Sequence, residues 1–462
     1  MKRFVFSALV LGTLLSAPVA LAAQPSSVGT PHRLQYQKHG DPSRVNMDPA
    51  TLALAVEHVE DIVDDGQVDG AVLLVARHGQ VVVHKAFGKR DGNLPGGYNP
   101  SMPLDGIFDL QSITKVFTSY VAMALHAEGR LDIDAPVGTY LPEYAVGDKA
   151  DVRVRDFMRY TSGLFIDATI LGSSDPWAVM LAEELAYTPN SRVYYSDLGY
   201  RLLGRTIETA GGASLDELMA EYIFEPLGMK DTGYAPYLNM PHKASRFVGT
   251  KFSDLRGHYM RGEVADEQDY FIETHGHGVT GCDGVFSTAW DLALFGQMLV
   301  NHGAHVSGKT NQHGVCPPGN KHCHVLQLLP ASLSDATTSL QTADVLSLPA
   351  ASTTWVENLL RADKGYGWEL PEYLPGAYSP GGELISLLGA TKTGGAGTFI
   401  MVDPDPSRDL VVVLLTNHGL PSHDDLGVDA NGELVWPGYD KMLEAIGPGT
   451  VNDLVQLSIV GP

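Results

Sequence analysis

Two strand-forming stretches stand at opposite ends of this chain, and they limit its fold more than anything else in it. "GAVLLVARHGQVVVHKAFGKRD", beginning at Gly70, contains two apolar, β-branched runs split by "RHGQ" and predicts a β-hairpin. "GTFIMVDP" from Gly397 and "DLVVVLLTNHG" from Asp409 predict further strands. Between about residues 115 and 300 the signals are mainly helical: "TKVFTSYVAMALHAEG", "RVRDFMRYTSG", "LGYRLLGRTIETAGG", "SLDELMAEYIFEPLG" and "TAWDLALFGQMLVNHG", mostly closed by glycine. An Asp48 cap with Pro49 behind it opens another helix, running to about Gly66, and "GYDKMLEAIG" predicts a helix that closes the chain. The expected fold is α/β (α+β): an antiparallel sheet flanked by helices, assembled from residues 45–110 and 340–450, with a mainly helical region (111–339) inserted and the active site between the two.

The N-terminus carries Lys2 and Arg3, an apolar run from Phe4 to Leu15, and small residues Ala20, Ala22 and Ala23. That is the pattern of a signal peptide over residues 1–23, so the mature chain is expected in the periplasm or outside the cell. No later segment has the roughly 18 apolar residues of a membrane span, so no membrane insertion is expected after cleavage. A formal net charge of −23 repels nucleic acid and anionic membranes. The partner expected is a small-molecule or peptide substrate; the oligomeric state is left open. Of three cysteines, Cys316 and Cys323 lie in the loop "GVCPPGNKHCHV", where a local disulfide suits an oxidising compartment, and Cys282 is left as a buried thiol. His313, His322 and His324 in the same loop, and His275 in "HGHG", match no standard metal spacing, so neither metal nor cofactor is expected.

Three short stretches carry chemistry. In "FDLQSITKVF", Ser112 and Lys115 are i and i+3 at a helix start, which puts both side chains on one face. A lysine made neutral by burial, the helix N-terminus and a second cation could take the hydroxyl proton. A chain of this length carries roughly one S-x-x-K by chance, so the pair needs partners. "SRVYYSDLGYRLLG" offers Tyr195, whose phenol could relay protons if lysines lowered its pKa, and Asp197, which could hold a lysine; its plain alternative is a helix cap behind core tyrosines. "GATKTGGAGTFIMVDP" places Lys392, Thr393 and Gly394 before a strand, a cation and a hydroxyl beside backbone free to approach a substrate carboxylate.

In the order S-x-x-K, Tyr-Ser-Asp, K-T-G, the chain resembles the serine β-lactamase and penicillin-binding protein superfamily, and within it the class C β-lactamase-like serine hydrolases. "GRLDIDAPVGTYLPEY", "FMRYTSGL", "IFEPLGMKDTGY", "GVFSTAWDLALFGQML" and "GYGW" (365–368) extend the likeness from about residue 48 to 445. The resemblance implies Ser112 as nucleophile, Lys115 as its proton acceptor, Tyr195 as the tyrosine of a Tyr-x-Asn motif, and Lys392, Thr393 and Gly394 as its K-T-G. It also implies an oxyanion hole from the N–H groups of Ser112 and Gly395. The implied activity is acyl-enzyme hydrolysis of β-lactams or D-Ala-D-Ala-type peptides. Alternatives are a carboxylesterase or D-aminopeptidase, and a β-lactam-binding sensor or inactive relative that does not turn over. Asp197 departs from the family's asparagine: it cannot donate to a substrate amide, and its charge should keep Lys115 protonated longer. The intact Lys392 favours substrates that bear a carboxylate. No G-x-S-x-G accompanies these motifs, so an α/β-hydrolase elbow is unsupported.

Overall fold

The computed structural model describes residues 29–36, 40–92, 99–165, 168–345, 363–371, 380–419, 427–428, 434–435 and 437–461. The expected signal peptide lies outside the described residues, as does part of the 340–450 region. Among the described residues no helix is long and apolar enough to cross a membrane.

A six-stranded sheet joins the two ends of the chain. Its strands are β1 (Gln35–Tyr36), β2 (Gly70–Arg77), β3 (Gln80–Gly88), β4 (Ala390–Gly394), β5 (Thr398–Asp403) and β6 (Leu410–Thr416), in the order β1-β3-β2-β6-β5-β4. β2 and β6 pair antiparallel from Arg77↔Leu410 to Ala71↔Thr416, so the N-terminal hairpin and the C-terminal strands meet at the centre. One expectation is corrected: the sheet is mixed, because the two-residue β1 runs parallel to β3 at its edge. Every residue of β2 is buried, as both faces of a central strand must be when helices cover them.

Helix α1 (Pro49–Asp64) packs on β2 and β3, and the Asp48 carboxylate accepts from Thr51 N–H at 2.8 Å as its cap. The helix expected from "TAWDLALFGQML", α5 (Ala289–Val300), lies against β6, β5 and β2, so a segment of the expected helical region covers the sheet. The helical layer holds α2 (Thr114–Ala127), α3 (Val154–Met158) and α4 (Asp197–Gly211), with α4 packed on both others.

Two hairpins that the periodicity did not predict interrupt this region: Gly249–Ser253 with His258–Arg261, and Ala304–Gly308 with Cys323–Gln327. The second is closed by the Cys316–Cys323 disulfide, which takes both sulfurs out of any metal set in that loop. The chain does not end on α6 (Pro437–Ile446); a further helix, α7 (Pro448–Leu457), follows Gly447 and packs on α1. Buried Arg77 ties the termini together, donating to Val45 O at 2.6 Å, Ser407 O at 2.7 Å and Gly461 O at 3.1 Å.

Candidate active site

The site forms where the start of α2 meets the end of β4. Gln111, just ahead of Ser112, has φ +49°, a strained value for a residue with a side chain. Its N–H is held by Asp109 Oδ1 at 3.0 Å, and Asp109 Oδ2 accepts from Ala265 N–H at 2.7 Å. That sharp turn leaves Ser112 partly exposed while Lys115, one helical turn on, is fully buried. Gly394 at the end of β4 passes against the same turn: a Cβ there would sit 2.3 Å from Leu110 O, so only glycine allows the approach. Gly395 then opens the turn to β5.

Two donors converge on the serine. Lys115 Nζ donates to Ser112 Oγ at 2.8 Å, and Tyr195 O–H donates to the same oxygen at 2.8 Å. Tyr195 sits immediately before α4, its ring stacked on Tyr160 and flanked by two ammonium groups: Lys392 Nζ lies 4.8 Å and Lys115 Nζ 5.0 Å from the ring centre. Ser196 caps α4, accepting from Gly199 N–H at 3.0 Å and donating to Phe165 O at 2.7 Å, so it serves the helix. Thus Ser112, Lys115, Tyr195, Asp197 and Lys392 come together from three separate segments, with Thr393, Gly394 and Gly395 following Lys392 along the chain.

Electrostatics correct two expectations. Burial alone would drive Lys115 toward its neutral form, but Asp197, whose Oδ1 lies 2.7 Å from Nζ, acts with Asp283 and other neighbouring groups to raise the lysine well above its ordinary range. Tyr195 is likewise raised, because burial outweighs the lowering effect of Lys115; the flanking lysines do not make its phenol acidic. At rest the site is an ammonium, a carboxylate and a neutral phenol around the serine.

Two further residues were not expected in the site. Cys282 supplies both its carbonyl, 3.3 Å from Lys115 Nζ, and its thiol, 3.2 Å away. Its loop is tied to α2, where Thr118 Oγ1 donates to Gly281 O and Thr114 Oγ1 accepts from Val285 N–H. Burial pushes the thiol well up, so it stays protonated. The second is Glu369, whose Oε1 pairs with Lys392 Nζ at 2.5 Å. Both side chains are buried, and Glu369 Oε2 has no hydrogen-bond partner among the described residues. Burial lowers Lys392, helped by the charge of Lys115, while Glu369 opposes it. The lysine expected to wait for a substrate carboxylate already holds one from the protein. The only sequence signal for Glu369 is its place directly after "GYGW".

Comparison with known proteins bears on the family and the fold. An N-acetylmuramyl-L-alanine amidase of Bacillus subtilis (strain 168) is 28% identical over 386 residues, covering 75% of this chain and 77% of that protein. A protein of Escherichia coli (strain K12) provisionally named D-alanyl-D-alanine carboxypeptidase is 29% identical over 265 residues, 50% of this chain and 60% of its own length. Among solved structures, the hydrolase EstCE1, described as having promiscuous acyltransferase activity, superposes with a TM-score of 0.58 at 18% identity, over 86% of this chain and 98% of that one. The octameric penicillin-binding protein homologue from Pyrococcus abyssi gives 0.57 at 19% identity, over 79% and 73%. The family model described as Beta-lactamase matches residues 55–434, most of the chain, and this protein therefore belongs to the β-lactamase family of serine hydrolases.

Proposed function

We propose that this protein is an exported acyl hydrolase that forms an acyl-enzyme on Ser112, acting on amides or esters whose reacting end carries no obligatory carboxylate. The observation that carries the reading is the pair of donors on Ser112 Oγ, Lys115 and Tyr195, each at 2.8 Å. Lys115, once it has given its own proton to solvent, would take the serine proton as Oγ attacks the carbonyl carbon, and Tyr195 would pass its proton to the leaving group and regain one from Lys115. The N–H groups of Ser112 and Gly395 would hold the oxyanion, and water would then release the acid.

The Lys392–Glu369 pair favours the uncharged substrate: a second carboxylate would meet a neutralised lysine and the charge of Glu369. A second reading, D-Ala-D-Ala-type peptides or β-lactams, is favoured by the intact K-T-G and by the names of the relatives. Purified mature protein assayed in parallel on a p-nitrophenyl ester, a D-Ala-D-Ala peptide and a chromogenic cephalosporin distinguishes them, the ester being expected fastest. Intact-mass analysis should show a transient adduct that Ser112→Ala abolishes; an adduct persisting in that variant would sink the assignment.

A further inference from the structure

At the edge of the molecule remote from Ser112, three residues far apart in sequence point ligand atoms at one spot. His32 comes from the N-terminal arm, His78 from the turn between β2 and β3, and Asp409 from the turn between β5 and β6. His32 Nδ1 lies 3.0 Å and His78 Nδ1 2.8 Å from the same carboxylate oxygen, Asp409 Oδ2. All three ligand atoms fall within 4.8 Å of one another, and the rings meet at 58° with centroids 5.8 Å apart. We propose that His32, His78 and Asp409 form a zinc site that clamps the N-terminal arm onto the two sheet turns.

The chemistry of the set fits a borderline-soft divalent ion. Two imidazoles and a carboxylate make a three-ligand zinc set that leaves the fourth tetrahedral position for water. Bonds of 2.0–2.1 Å to a tetrahedral ion separate ligand atoms by about 3.3 Å, so the two spacings to Oδ2, 3.0 and 2.8 Å, need open by only a few tenths of an ångström. Satisfying two imidazoles through Oδ2 leaves the carboxylate's other oxygen stranded: Asp409 Oδ1 is buried with no hydrogen-bond partner among the described residues. A simple hydrogen-bonded pair would use both oxygens. The backbone also aims these side chains, since His78 N–H donates to Asp409 O at 2.9 Å and both residues take positive φ, +50° and +43°. Zinc would take the lone pair of each Nδ1, with the single ring proton now shared with Oδ2 moving through solvent to Nε2, so that each neutral imidazole keeps one N–H.

This site is separate from the hydrolytic one. Asp409 precedes β6, whose far end, Thr416, donates to Ala396 O at 2.9 Å beside the K-T-G turn. Seven strand residues put about 20 Å between the two ends. Loss of the clamp should therefore leave ester hydrolysis unchanged.

The test uses the full mature chain, stripped with a chelator and titrated with zinc ion by calorimetry, with thermal melting in parallel. The wild type should take up one zinc ion at micromolar concentration, and its melting midpoint should rise with zinc by mass action. His32→Ala, His78→Asn and Asp409→Asn should each weaken uptake by more than about tenfold, the least that losing even a ligand's supporting partner costs, and abolish the midpoint rise. Asparagine is chosen at 78 and 409 because it tolerates positive φ, and metal-free melting of each variant verifies its fold. His322→Ala, in the disulfide loop, should bind as the wild type does. No zinc uptake by the wild type, or uptake unchanged in the three site variants, overturns the proposal and leaves a hydrogen-bonded knot.

Discussion

Asp197→Asn removes the carboxylate 2.7 Å from Lys115 while keeping side-chain size. If Lys115 must lose a proton before Ser112 attacks, the rate rises with pH through the lysine's titration. Asp197 raises that titration and burial lowers it, so the variant should move the ascending limb of kcat/KM to lower pH. An unmoved limb would mean that Lys115 is not the acceptor. Glu369→Gln asks about selectivity. It frees the Lys392 ammonium, so activity on a D-Ala-D-Ala peptide should rise relative to a p-nitrophenyl ester, by about tenfold if one charge-assisted hydrogen bond of 1.5–3 kcal/mol is released. At this scale the sequence was legible where chemistry lies in short, ordered motifs: Ser112 with Lys115, Tyr195, and Lys392 with Thr393. It was not legible for Cys282 and Glu369, which long-range folding brings in from loops without periodicity. The same holds for His32, His78 and Asp409, since ligands drawn from an N-terminal arm and two distant turns have no local spacing to recognise.

Between elements, the site depends on how closely β4 can approach the turn before α2. Gly394→Ala would force a Cβ to 2.3 Å from Leu110 O, a backbone atom that cannot swing away. The expected cost is about 1–3 kcal/mol in urea unfolding, with a fall in kcat larger than the change in KM, because the strand carrying Gly395 is displaced. Equal melting and activity would show that the turn adapts. Most elements announced themselves through caps and apolar periodicity, as α1 did with Asp48, Pro49, Leu52, Val59 and Ile62. α7 was missed because its opening "GPG" suggests a chain break. There Gly447, at φ +60°, ends one helix while Pro448 starts the next, and Val451 and Val455 at i and i+4 were the available signal. Edge strand β1 has only two residues, too few for any period to register.

For the whole molecule, several buried groups hold protons more tightly folded than unfolded. Burial pushes Asp109 and Glu273 each up to about 7 and Asp291 to about 6, and a hydrogen bond to Asp335 raises His302. The stability each contributes is complete below its unfolded pKa and is lost as pH climbs through the folded one. The melting midpoint should therefore fall from pH 5 to pH 8, with mutual repulsion in a chain of net charge −23 adding to the fall. A midpoint that rises over this range would show that carboxylates held low, such as Asp231, dominate.

The central pairing of β2 with β6 also governs when this chain can fold. Arg77 is made long before its partner Leu410, and at 5–20 residues per second the wait is roughly 20 to 70 s. Throughout that interval a strand that is apolar from Gly70 to Ala76 has one edge without a mate, so a nascent chain cannot complete its core in the order of synthesis. It depends on being kept apart from other chains until its last strands arrive.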